Sequence, residues 1–172
     1  PEFRYLERLA KLNSINKNQN FSNELLLAVL LIDDSNNHEY FSHKYNVSNE
    51  LKESLNFIAK NFKTIKENKE FFQRDIKKNI YFFGKSHLMT LNALYFASNQ
   101  KVKLKNYLNV LDNIKKIDIP KFLFDGNYLK ENGMKEGALI GKTLKQIENE
   151  WLDNDFKVSN KRVLNIIKEK NR

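Results

Sequence analysis

The chain has no cysteine, only two prolines and only five glycines. Without cysteine there can be no disulfide framework, no thiolate zinc site and no thiol nucleophile, a pattern that fits the cytoplasm. Long apolar runs are also missing. The longest, Leu25 to Ile32, falls far short of the roughly 20 residues a bilayer span needs. No basic, apolar and small-residue series opens the chain, so neither membrane insertion nor export is expected. The shortage of proline and glycine leaves little to break long helices, and four of the five glycines fall between positions 126 and 141.

What is present is enough to fold. Hydrophobic residues make up 41% of the 172 residues and charged ones 30%, which supplies apolar material for one core and a small appended module. The net charge of +9 is unevenly spread. Residues 55–105 carry eleven Lys and Arg against three Asp and Glu, residues 1–54 six against eight, and residues 106–172 thirteen against ten. The excess runs from Lys60, Lys63, Lys66 and Lys69 through Arg74, Lys77, Lys78 and Lys85 to Lys101, Lys103 and Lys105. A concentrated positive field attracts polyanions, of which nucleic acid is the commonest. A solvated lysine face is the alternative, and the abundance of Lys and Asn is also what an AT-rich genome produces.

The periodicity is helical throughout. Leu6, Leu9, Ala10 and Leu12 predict a short first helix, and Asn13 to Asn20 a loop. Ser22 is placed to cap a helix over Asn23 to Asp33, whose unbroken apolar run predicts burial on most sides and the central position in the core. A short amphipathic piece follows at His38 to Tyr45, and Ser48 can cap the stripe Leu51, Leu55, Ile58 and Phe62. Phe72, Ile76, Ile80 and Phe83 continue the spacing until Gly84. Ser86 then opens a helix carrying Leu88, Leu91, Leu94 and Tyr95, and Leu104, Tyr107, Leu108, Leu111 and Ile114 form one more stripe. Pro120 ends the series, because proline disfavours helical geometry in the residue before it. No stretch alternates as a strand would. The expected fold is all-α: an irregular helical bundle body over 1–118 and a glycine-punctuated helical tail over 119–172.

The tail holds the most specific pattern, PKFLFDGNYLKENGMKEGALIGKTLKQIENEWLDNDF from Pro120 to Phe156. Asp125 can cap a short helix that Gly133 ends in the left-handed conformation. Gly137 and Gly141 lie one turn apart on the next helix, opposite the stripe Ile140, Leu144, Ile147 and Trp151. Missing side chains there allow either close helix packing or the approach of a phosphate. Unpaired amides at the helix start, with Lys135 before it and Lys142 and Lys145 along it, suit a phosphate.

This glycine pattern resembles the C-terminal signature of bacterial tRNA nucleotidyltransferases of the poly(A) polymerase type, the CCA-adding enzymes. The matching residues are Gly126, Leu129, Gly133, Met134, Gly137, Ile140, Gly141, Leu144 and Trp151. Upstream, Arg4 to Leu12 followed by Leu25 to Ile32 is more loosely similar to the family's body. The family often has proline in the turn where this chain has Lys135–Glu136. The resemblance implies a helical region that grips tRNA while a separate N-terminal head adds C, C and A, or AMP, to its 3′ end. That head, with its Gly-Gly-x-x-Arg-Asp segment and its pair of metal-binding aspartates, has no counterpart here, since the sequence contains no Gly-Gly pair. The chain is therefore expected to be non-catalytic and to need no cofactor of its own, with Mg2+ in the head, and its expected partners are tRNA and that head.

On this reading Lys135, Lys142 and Lys145 meet phosphate near Gly133, Gly137 and Gly141, and Lys77, Lys78 and Lys85 meet it on the body. Aromatic residues from Phe71 and Phe72 to Tyr107 interleave with the basic stretch, and Tyr81, beside three lysines, is the first candidate to stack on a base. Other constellations are weaker. Asp153 and Asp155 form an Asp-x-Asp pair at a helix end with no glycine-rich turn before it, and the spacing of His38 and His43 does not put them on one helix face. His87 reads as a capping or packing residue. Two rival functions use the same residues: a helical protein-interaction bundle whose lysines keep it soluble, and a helix-hairpin-helix-like binder of DNA backbone.

Overall fold

The computed structural model describes residues 5–15, 21–68, 70–135 and 137–171. Arg4, Lys69, Glu136 and positions 16–20 of the first loop lie outside the described residues. The described residues form nine helices and no strand, and the chain is all-α. None of the helices is long and apolar enough to cross a membrane. The chain divides into two compact units, Pro1–Ile117 and Asp118–Arg172.

The first unit contains α1 (Leu6–Asn13), α2 (Asn23–Leu31), α3 (Asn37–Lys44), α4 (Asn49–Glu67), α5 (Ile76–Ser98) and α6 (Leu104–Lys116). Two of these start where serine accepts a backbone N–H: Ser22 Oγ from Leu25 at 3.2 Å and Ser48 Oγ from Leu51 at 3.3 Å. Each such cap stabilises its helix by about 1 kcal/mol. α2 buries Leu25, Ala28, Val29 and Leu31 but shares the centre of the core with α5, which packs on α1, α2, α4 and α6. From Leu88 to Ala97 almost every α5 residue is buried, Thr90 and Asn92 included. The polar Asn92 is accommodated because its amide donates to the Tyr107 carbonyl at 3.1 Å, which removes most of the cost of burying it.

α5 is two helices on one continuous path. Gly84 sits at φ 75°, ψ 156°, a conformation essentially reserved for glycine. The break frees helical carbonyls, and the Nδ1 of His87 lies 3.1 Å from the carbonyl of Phe83, with the imidazole ring against Phe57. His87 thus caps and packs. α1 serves as a clamp: Arg8 Nη1 donates to the Ile32 carbonyl at 2.7 Å, closing the end of α2, while Lys11 Nζ donates to Asn99 O at 2.6 Å in the turn after α5.

The second unit contains α7 (Gly126–Glu131), α8 (Ala138–Asp153) and α9 (Asn160–Lys170). Its core joins Leu129, Met134, Ile147, Val163, Ile166 and Ile167, and each such side chain contributes roughly 1.5–3 kcal/mol by leaving water. The buried face of α8 is Thr143, Ile147, Trp151 and Leu152, whereas Ile140 and Leu144 are half-buried. Arg162 grips Glu150 with two parallel 2.8 Å bonds that tie α9 to α8.

Candidate nucleic-acid interface

The glycine turn of the second unit is built from its cap residues. Asp125 accepts the Tyr128 N–H at 2.8 Å and starts α7. At the other end Gly133 N–H donates to Lys130 O at 3.0 Å and Met134 N–H to Leu129 O at 3.0 Å, the paired bonds of a Schellman cap with glycine in the left-handed position, φ 93°. Leu129 and Met134 meet in the core beneath it, and Asn171 donates to the Gly133 carbonyl at 3.0 Å from the far end of α9. The turn is therefore held from three directions.

Gly137, at φ 130°, starts α8 without any side-chain cap. α1, α3, α5 and α6 likewise lack one, whereas α2, α4, α7 and α9 each begin on a Ser or Asp that accepts an N–H. Gly141, one turn on, is exposed, and a Cβ built on either glycine would meet nothing within 4 Å. Close packing within the chain therefore explains neither of them. At Gly137 the backbone conformation demands glycine. At Gly141 nothing in the unit does, although a helix-interior glycine costs about 1 kcal/mol relative to alanine.

Around this open surface the three lysines differ. Lys135 and Lys142 are exposed and have no ion-pair partner among the described residues, whereas Lys145 pairs with Glu148 at 2.7 Å. Lys135 and Lys142 are thus the cations of the turn that can meet a phosphate without first breaking a bond.

The predicted body site is less open. Lys77 is exposed and Lys78 and Tyr81 are half-buried, all on the first half of α5. Lys85 lies beyond the Gly84 break, and its Nζ donates to the Lys115 carbonyl at 3.0 Å, where it closes the end of α6. The aromatic that stands out is Phe82, 54% exposed and edge-on to Tyr81 at 5.3 Å; its position beside Lys78 and Lys85 was readable, its outward face was not. Phe71, Phe96 and Tyr107 are core.

Among the described residues no three His, Asp or Glu side chains come together as a metal site. Asp153 ends α8, Asp155 takes the left-handed conformation at φ 49°, and both are exposed. They do not fit a magnesium-binding pair. His38 is buried, and desolvation holds its imidazole below the ordinary histidine pKa, while His43 is exposed. In comparisons with known protein families, with curated proteins and with solved structures, nothing matches this chain.

Proposed function

We propose that this chain is the tRNA-binding C-terminal part of a tRNA nucleotidyltransferase of the CCA-adding and poly(A) polymerase family. The observation that carries the reading is Gly141. A glycine in the first turn of α8, exposed, with open space where its side chain would be, lowers helix stability for no gain inside the fold. It becomes intelligible when something outside approaches the backbone closely. The neighbouring features give that partner a sign: a helix start without a side-chain cap, and the exposed cations Lys135 and Lys142 with no ion-pair partner among the described residues, favour a phosphate. Affinity would come mainly from counterion release along the backbone, and orientation from the fixed glycine turn. The nucleotidyl transfer itself, with its Mg2+, belongs to the head, and no step of it is assigned to these residues.

A second reading, a protein-interaction bundle, draws on Leu104 and Leu108, which stand 39% and 43% exposed one turn apart on α6. Fluorescence anisotropy separates the two. The full chain is titrated with tRNA lacking its CCA end at two salt concentrations, with duplex DNA of equal charge as competitor. Tight binding that weakens log-linearly with salt and resists the DNA supports tRNA recognition. Displacement by DNA favours the helix-hairpin-helix alternative, and absence of binding at low salt refutes the proposal.

A further inference from the structure

A second basic feature lies in the first unit, where two lysines of the basic stretch meet an arginine of α1. A cleft of about 430 Å³ opens between α1, α4 and the turn that follows α5. Arg8, Lys66 and Lys101 line it, and among the described residues no carboxylate does. Two other clefts differ in this respect: one on the same unit carries Glu24, Glu50 and Glu53, and one on the second unit carries Glu150 and Asp153.

The three cations are not equivalent. Lys66 pairs with the exposed Asp34 at 2.7 Å, so part of its charge is neutralised. Lys101 is exposed with no ion-pair partner among the described residues. Arg8 is the unusual one. Its half-buried guanidinium packs 3.6 Å from the Tyr5 ring centroid and uses only Nη1, toward the carbonyls of Val29 and Ile32. Nε and Nη2 have no acceptor among the described residues. Glu7, Asp33 and Asp34 act on Arg8 through space. Asp33 is already engaged by Tyr5 and Ser35, and Asp34 by Lys66.

Neither Nε nor Nη2 is a buried orphan, so both donors are open to water, and a phosphate can reach them without displacing a protein acceptor. Tyr95 and Gln100 also line the cleft. The turn forming its rim is fixed in advance, by Lys11 on the carbonyls of Asn99 and Val102 and by the Asn99 side chain, which accepts the Lys101 N–H at 3.0 Å. A preformed rim spares the ligand the cost of ordering it.

We infer that this cleft is a phosphate seat and, resting on the function proposed above, that it takes a phosphodiester of a bound RNA. The guanidinium and the Lys101 ammonium would hold the two non-bridging oxygens, the arrangement for which a planar arginine fork is suited.

The test uses the full, isotope-labelled chain and two probes. Inorganic phosphate is titrated at matched ionic strength while amide and Arg8 Nε resonances are followed. In parallel, tRNA affinity is measured against salt for the native chain and for Lys101→Gln. Lys101 is the residue to change, because altering Arg8 would also uncap α2. The expected result is that shifts concentrate at Arg8, Asn99, Gln100 and Lys101. Lys101→Gln should also weaken tRNA several-fold and reduce the log–log salt slope by about one. Shifts confined to the cleft in a chain that binds no tRNA would support the seat for free phosphate while refuting the RNA reading. Shifts spread evenly over exposed lysines, with tRNA affinity and slope unchanged in the variant, would overturn the seat and leave the proposed function standing.

Discussion

Replacing Gly141 and Gly137 by alanine, one at a time, should move stability in opposite directions. At Gly141 the backbone is helical and the added methyl meets nothing within 4 Å, so only helix propensity changes, and Gly141→Ala should stabilise the unit by about 0.8–1.0 kcal/mol. At Gly137 space is equally free, yet φ is 130°. Alanine there must hold a conformation that costs about 1–3 kcal/mol. The two variants should therefore lie some 2–4 kcal/mol apart although they are one turn apart and chemically identical. Trp151 makes the assay specific: it is the only tryptophan of the chain, 5% exposed, and it packs on Phe122 and Phe156 within the second unit. Its fluorescence during thermal unfolding reports that unit alone, where 1 kcal/mol corresponds to roughly 4–8 °C in a small domain. Binding should run against stability. A methyl at 141 keeps a phosphate from the backbone, and losing one charge-assisted contact of about 1.5–3 kcal/mol weakens tRNA roughly 10- to 100-fold. A Gly141→Ala variant that melts lower would show that the fold needs this glycine. One that melts higher and binds tRNA as before would show that the open surface is unused.

Gly84→Ala should destabilise the first unit by about 1–3 kcal/mol, measured by urea unfolding, because alanine must adopt φ 75°; an unchanged midpoint would mean that the break is not enforced. Ile147→Ala, which empties a fully buried position, should cost about 2–5 kcal/mol and abolish cooperative unfolding of the second unit as seen by Trp151. The pH dependence turns on His38, whose pKa is lowered by desolvation and whose Nδ1 is buried with no hydrogen-bond partner among the described residues. A histidine depressed on folding binds its proton more readily in the unfolded chain. Stability should therefore fall as pH drops through the ordinary histidine value toward the depressed one. His38→Gln should flatten that slope in acid titrations of chemical denaturation, and a slope that persists would assign it to other groups.

Much of the fold was legible because its signals are local. Ser22 and Ser48 mark their helices by a hydrogen bond three residues away, and Gly84 and Gly133 declare breaks that only glycine can make. What failed to be legible depends on packing. The apolar run of α2 suggested the core's centre, but the second half of α5, with Asn92 inside it, shares that place. Thr143 reads as polar surface and is fully buried. The last helix went without notice, although Ser159 before Val163, Ile166 and Ile167 is the same cap-and-stripe signal that identified α4. For the candidate interface, sequence grouped Lys135, Lys142 and Lys145 together. Only the structure separates the ion-paired Lys145 from the other two and shows Lys85 closing a helix. Arg8 carried no sequence signal, since its place at the carbonyl end of α2 arises only where α1 crosses it.

The break in α5 also divides the helix by how readily its amides open. Of residues 76–83 only Ile80 is buried, whereas residues 88–97 line the core. A helix interrupted at Gly84 loses cooperativity there, so each part must nucleate separately. The outer part should exchange its amide hydrogens through local opening, while the inner part exchanges only when the unit unfolds. Lys77, Lys78, Tyr81 and Phe82 all ride on the outer part. The bundle thus presents that basic, aromatic surface on a segment that can loosen and re-form around a ligand without loosening the core that carries it.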